Sequence, residues 1–307
     1  MRAIACLFFL LLLSACATPA SCPLVALARM PLYADNNLMF VPARINGRPV
    51  RLLVDTGSER TVLTEAAVAR LGLPHAGRFI TRTVGVSGMS AEWDAAVPGI
   101  VLGGTRFPVD RVAVGNFSLG RLSDPPIDGL LGADILLAFD MDIDLPTHQL
   151  TLYRVRRCPG ARPPWHEPAV EIEGVASRRD RLLVPITLDD TRGMAILDTG
   201  AQASTIGMPF ALKAGVSAHD LEQDRAVLVH GASPGAVRVR VHQFEELRVG
   251  PAVFDDPKLA IVPAASGVGD ALIGEDFLRG RRVWLSFATH HLFISKEIAA
   301  APMVGVR

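Results

Sequence analysis

The sequence predicts an all-β protein of two duplicated lobes with a few short helices. Three observations carry that prediction: a long-range internal repeat, runs of alternating apolar and polar residues, and a Pro/Gly-rich break between two halves. The repeat is the most specific. Asp55-Thr56-Gly57 ends the apolar run Val50 to Val54, and Asp198-Thr199-Gly200 ends the run Met194 to Leu197. A Val-Pro pair (Val41-Pro42, Val184-Pro185) places its proline 13 residues before each Asp, and Gly72 and Gly215 each follow it by 17. Leu130-Leu131-Gly132-Ala133-Asp134 matches Leu272-Ile273-Gly274-Glu275-Asp276, and a Thr-His pair (Thr147, Thr289) begins 15 residues past each of these glycines. The offset between copies is 143 early and 142 late, so they differ by one net residue.

From the N-terminus, Arg2 precedes the apolar run Ile4 to Leu13, which is too short to span a bilayer. Small residues follow, so 1–16 reads as an export signal. Leu13-Ser14-Ala15-Cys16 resembles the lipobox of bacterial lipoproteins, which implies acylation of Cys16 and a membrane anchor in the bacterial envelope. Plain cleavage after Ala17 also fits, because Ala15-Cys16-Ala17 matches the A-x-A pattern, but it leaves Cys16 without a role. Residues 17–36 are expected to form a tether, 37–157 the first lobe, 158–168 the linker, 169–298 the second lobe and 299–307 a tail.

Alternation from Ala43 to Val50 and from Ala236 to Val241 predicts strands. Helical patches are expected at Glu65 to Leu71, Ala133 to Ala138 and Pro209 to Ala214. Cys158-Pro159-Gly160 to Pro163-Pro164 supplies the break. Arg178-Arg179-Asp180-Arg181 reads as a solvated turn, and Val283 to Ser295, with His290-His291, as a strand. Trp93, Trp165 and Trp284 read as packing residues.

Charge narrows the function classes. Lys plus Arg and Asp plus Glu each number 31, without the basic surplus that nucleic-acid binding requires. Hydrophobic residues make up 50% of the chain, enough for a packed core rather than disorder. Beyond Cys6 and Cys16, only Cys22 and Cys158 remain. In an oxidising compartment they could pair, and two free thiols fit as well. No Cys-x-x-Cys or His-Glu-x-x-His spacing is present, so no metal site is expected, and no cofactor.

Two lobes with one Asp-Thr-Gly each, followed in register by Leu-Leu-Gly and Leu-Ile-Gly, resemble the aspartic proteases. The likeness covers nearly all of the exported chain and is closer to a fused retropepsin dimer than to pepsin. The resemblance implies a bilobal fold of retropepsin-like β-barrel lobes and an endopeptidase acting on polypeptides, monomeric because the dimer is internal. Asp55 and Asp198 are then the catalytic pair. Two carboxylates held together cannot both ionise, so they share a proton and offer base and acid at once. Gly57 and Gly200 allow close backbone approach, and Thr56 and Thr199 would brace the two loops. Ser58 faces Ala201 across the repeat. A Ser58 hydroxyl donating to Asp55 would favour its ionised form and leave the shared proton on Asp198. Gly85-Val86-Ser87-Gly88 and Gly231-Ala232-Ser233-Pro234-Gly235 resemble flaps over a bound peptide.

Two other readings stand beside this one. Gly231 to Gly235 fits the G-x-S-x-G pattern of serine hydrolases, with Ser233 as nucleophile and Asp256 or Asp270 and His290 as partners. That motif requires a following helix, where Ala236 to Val241 alternates as a strand. A non-catalytic peptide binder could keep the same lobes, but both Asp, both Thr and both Gly are retained.

Overall fold

The computed structural model describes residues 24–85, 88–115, 126–155, 162–177, 181–230, 236–264 and 267–295. The proposed signal, Cys16, Cys22, Cys158, the tail 299–307 and most flap-tip residues lie outside them.

Each half of the chain builds a curled sheet, and the two sheets share one strand order. In the first half the order runs His75–Gly85, Gly88–Ala96, Arg111–Gly115, Val62–Thr64, Gly129–Leu131, Arg48–Val54, Leu38–Ile45, Ile100–Leu102 and Thr105–Phe107. In the second it runs Arg225–His230, Ala236–Gln243, Lys258–Val262, Thr205–Gly207, Ala271–Ile273, Thr191–Leu197, Leu182–Leu188, Glu246–Val249 and Ala252–Asp255. A short strand, Tyr33–Asp35 or Val175–Ala176, hairpins onto each sheet. The predicted all-β, bilobal architecture is therefore observed.

Three strands per half fix the two acids. Gly129–Leu131 runs parallel to Leu52–Val54 and antiparallel to Val62 and Leu63. The chain from Val54 to Val62 must therefore loop around the end of this inserted strand, and Asp55 begins that loop. Ala271–Ile273 does the same between Ala195–Leu197 and Thr205–Ile206. These strands have neighbours on both sides. Leu52, Leu53, Val54, Leu130 and Leu131 are all buried, which accounts for runs that are apolar without alternation.

A third sheet joins the halves, in the order Leu24–Pro31, Gln149–Val155, Asp140–Asp144, Arg282–Ser286, His291–Ser295, Ala169–Glu173. At its centre Asp142 lies opposite Trp284, and these two are repeat mates. The internal two-fold passes between them. Met141, Ile143, Val283 and Leu285 from this sheet enter one apolar core that is continuous with both lobes.

Three expectations need correction. The tether over 17–36 is β-structure from Leu24, because Gln149–Val155 would otherwise present an open edge. The alternating run Ala43 to Val50 is broken by a two-residue hairpin turn at Asn46-Gly47 (φ 54° and 73°), so it belongs to two strands. The run Val283 to Ser295 is likewise a hairpin, and His290 sits in its turn at φ 61°.

The helices are short: α1 (Glu65–Leu71), α2 (Ala133–Leu136), α3 (Met208–Lys213), α4 (Ala218–Gln223) and α5 (Glu275–Leu278). Thr64 caps α1 by accepting from Ala67 N–H, and Gly72 ends it in the left-handed region. α4 lies outside the predicted helical patches, although Ser217 and Asp220 form a full capping box at its start.

Candidate active site

The two Asp loops meet across the two-fold through their threonines. Thr56 N–H donates to Thr199 Oγ1 and Thr199 N–H donates to Thr56 Oγ1, each at 3.1 Å. Each hydroxyl then donates across the axis at 2.7 Å, Thr56 to Leu197 O and Thr199 to Val54 O. Both threonines are fully buried, so these four bonds have no competition from water and hold the loops in one geometry.

The glycines bring the opposite acid close. A Cβ on Gly57 would lie 2.3 Å from Asp198 Oδ2, and one on Gly200 would lie 2.4 Å from Asp55 Cγ. Any side chain at either position would push the facing carboxylate away. Each acid is also held by its own loop: Ser58 N–H donates to Asp55 Oδ1 and Gly200 N–H to Asp198 Oδ1, both at 2.8 Å. The carboxylates are near enough to hydrogen-bond to each other.

Burial raises both carboxyls above the ordinary Asp range, Asp55 well above it. At Asp55 the negative charge of Asp198 adds to burial, while the Ser58 N–H opposes it. At Asp198 burial is opposed by the Gly200 N–H, by the hydrogen bond from Asp55 and by the positive charge of Arg181. Both shifts favour one proton held between the pair, with the larger rise at Asp55. The expectation built on Ser58 loses its basis, because the Ser58 hydroxyl turns away to donate to Arg60 O at 2.8 Å.

Behind each loop stands a second matched pair. Thr61 N–H and Oγ1–H both donate to Asp134 Oδ1 (2.9 and 2.7 Å), and Gly132 N–H donates to Thr61 Oγ1. In the other half Ser204 N–H and Oγ–H donate to Asp276, and Gly274 N–H donates to Ser204 Oγ. Ala133 N–H to Ser58 O and Glu275 N–H to Ala201 O, each 2.8 Å, tie the helix starts to the loops. Asp55 N–H and Asp198 N–H donate to Leu131 O and Ile273 O.

These hydroxyl–carboxylate pairs are not among the site residues expected from sequence. The signal was available, since a hydroxyl residue lies six positions after each catalytic candidate and an acid two after each following glycine. Of the flap candidates, Gly85 and Gly88 close the pairing of His75–Gly85 with Gly88–Ala96. Val86, Ser87, Gly231, Ala232, Ser233 and Gly235 lie outside the described residues, between arms that pair up to His230 and Ala236. Asp270 accepts from Met194 N–H at 3.0 Å, a brace mirrored by Asp128 and Arg51 N–H.

This geometry agrees with the comparisons. The aspartyl protease family model matches residues 41–135 and 184–277, one match per lobe and together more than half of the chain. The chain belongs to the aspartyl protease family. DNA damage-inducible protein 1 of Yarrowia lipolytica is 29% identical over 127 residues, covering 39% of this chain and 29% of that protein. Protein DDI1 homolog 1 of Homo sapiens is 27% identical over 129 residues, with coverage of 39% and 29%. The chain thus spans about three-tenths of the length of the curated relatives it matches. The solved aspartic proteinase from Irpex lacteus shares the fold, with a TM-score of 0.50 at 13% identity over 88% of this chain and 97% of that one.

Proposed function

We propose that this chain is an exported aspartic endopeptidase, held in the bacterial envelope by a lipid on Cys16. The observation that carries the catalytic reading is the crossed threonine brace, which presents Asp55 and Asp198 to each other as one proton-sharing pair. Asp198, ionised beside the charge of Arg181, takes a proton from water as the hydroxyl adds to the peptide carbonyl carbon. Asp55 gives its proton to the carbonyl oxygen, forming a neutral tetrahedral diol. Asp198 then returns a proton to the leaving nitrogen, the C–N bond breaks, and Asp55 recovers its proton from the diol. The hairpins ending at Gly85 and His230 serve as covers over the bound polypeptide. The enzyme acts as a monomer, because the chain supplies both halves of the pair. Its anchoring rests on the Leu13 to Cys16 sequence alone.

Digestion of a peptide mixture by wild type, Asp55→Asn and Asp198→Asn, with and without pepstatin, tests the reading. Each substitution is expected to lower kcat/KM by about 10³-fold, since it removes one partner of a general acid–base pair. Equal cleavage by all three proteins would overturn it. For the anchor, Cys16→Ser is expected to move the protein from the membrane fraction to the soluble one.

A further inference from the structure

The first hairpin, His75–Gly85 with Gly88–Ala96, holds a buried acid that the mechanism leaves unused. Its strands fall out of step near the base: His75 faces Ala95 and Ile80 faces Trp93, so Ala76 to Phe79 bulge opposite Asp94 alone. Bulges re-aim side chains, and Asp94 is fully buried. Thr81 Oγ1–H donates to Asp94 Oδ1 at 2.6 Å, and Arg60 donates to Asp94 Oδ2 at 3.4 Å. Arg111 Nε, on the neighbouring strand, lies 3.7 Å from the same oxygen, with its guanidinium over the Phe79 ring.

Arg60 joins that hairpin to the loop of Asp55. Its carbonyl accepts from the Ser58 hydroxyl, and Ser58 N–H donates to Asp55 Oδ1. A Cβ on Gly132 would lie 2.3 Å from the Arg60 carbonyl carbon, so the backbone here packs tightly against the Leu-Leu-Gly segment. The second half puts apolar residues in the corresponding places. Ala113 faces Val62 as Ala260 faces Thr205, and Ala95 faces Val112 as His242 faces Leu259, so Val241 is the repeat mate of Asp94. By the same register Val227 answers Thr81, and the offset of 143 places Ala203 at Arg60. Val227 and Val241 pack into an apolar cluster. The lobe therefore forms without the ions, and a buried ion cluster is weak support for stability beside apolar side chains of similar size. What the cluster adds is a link between two elements, the hairpin and the loop.

We infer that Asp94 is a positioning residue: through Arg60 it clamps the first hairpin to the loop that carries Asp55, and so sets how tightly a polypeptide is held between them. The inference rests on the endopeptidase reading for its consequence, and on geometry alone for the clamp. A hairpin arm and a loop already fixed to each other have less freedom to lose when a peptide binds. The clamp acts on binding rather than on chemistry, because the threonine brace and the Ser58 N–H hold Asp55 without it. Its loss raises KM and leaves kcat and both limbs of the pH–rate profile nearly in place.

Peptide-cleavage kinetics and amide hydrogen exchange together test the inference. Arg60→Ala leaves Asp94 with Thr81 and Arg111 and cuts only the link to the loop. It should raise KM about tenfold with kcat kept, and Arg60→Lys should restore part of the affinity. Asp94→Asn should match Arg60→Ala, and the double variant should be no worse than either, since both break one link. Arg60→Ala, Thr81→Val and Asp94→Val combined copy the second half, and should fold with a Tm near wild type yet show the same raised KM. Exchange in residues 75–96 should quicken about tenfold in every variant but Arg60→Lys, while exchange in 225–243 stays unchanged. An unchanged KM, a loss of kcat in place of affinity, or additive effects in the double variant would overturn the inference; additivity would make Arg60 a direct peptide contact. Unchanged KM and exchange in a protein that cleaves peptides would sink the clamp alone. Faster exchange in the variants of a protein whose wild type cleaves nothing would sink the peptidase reading alone.

Discussion

Ser58 and Ala201 stand at the first position past the matched Asp-Thr-Gly triplets at which the two loops differ, and the difference acts elsewhere than on the acids. The Ser58 hydroxyl donates to Arg60 O, and only its backbone N–H reaches Asp55. Ser58→Ala is therefore expected to leave the pH–rate profile in place, which a profile recorded across the acid and alkaline limbs will check. At Asp198 the Gly200 N–H and the hydrogen bond from Asp55 oppose burial first, and the charge of Arg181 adds to them. The sequence carried the two Asp-Thr-Gly triplets plainly, because both the repeat and the apolar run before each are local signals. It could not carry the direction of the Ser58 hydroxyl or the reach of Arg181, since both depend on how a hairpin from elsewhere in the chain packs.

At the scale of elements, each Asp loop is held between an inserted strand and the start of a short helix. Asp276 is the junction in the second half: its carboxylate accepts from Ser204 N–H and Oγ–H and from Phe277 N–H, and it is almost wholly buried. Asp276→Ala leaves those donors without partners and is expected to cost about 3 kcal/mol, seen as a lowered midpoint in urea unfolding. Helix and strand types were mostly legible from periodicity, but pairing partners were less so. Leu24–Pro31 alternates too weakly to announce a strand, and its β-structure follows from the edge offered by Gln149–Val155 more than 100 residues away. The turn at Asn46-Gly47 was legible as a hairpin signal and was obscured by alternation continuing through it.

The whole molecule carries buried acids whose effects on stability share a sign. Burial pushes Glu275 up from 4.5 to about 7, with the Arg279 charge opposing it and the Asp276 charge adding to it. Burial likewise pushes Asp140, in the joining sheet, up from 3.8 to about 6. In each case the folded state holds its proton more tightly than the unfolded chain. The associated stability is full below the unfolded value, falls as pH rises through the folded value, and is lost above it. For Glu275 the window runs from 4.5 to about 7 and is worth about 3 kcal/mol. Thermal unfolding is therefore expected to show a higher Tm in mild acid than at pH 8 (about one unit above the Glu275 value). Glu275→Gln should raise the Tm at the alkaline end and change it little in acid. A wild-type Tm that rises steadily with pH across this window would contradict these assignments.

The central claim is that two acids from two halves of one chain form a single proton-sharing site. The pH dependence of kcat/KM on one cleaved peptide, for wild type and Asp198→Asn, tests it most directly. Wild type should give a bell: the acid limb is protonation of the ionised member and the alkaline limb is loss of the shared proton. Asp198→Asn should be lowered by about 10³-fold across the range. A flat wild-type profile, or a bell of undiminished height in Asp198→Asn, would contradict the account.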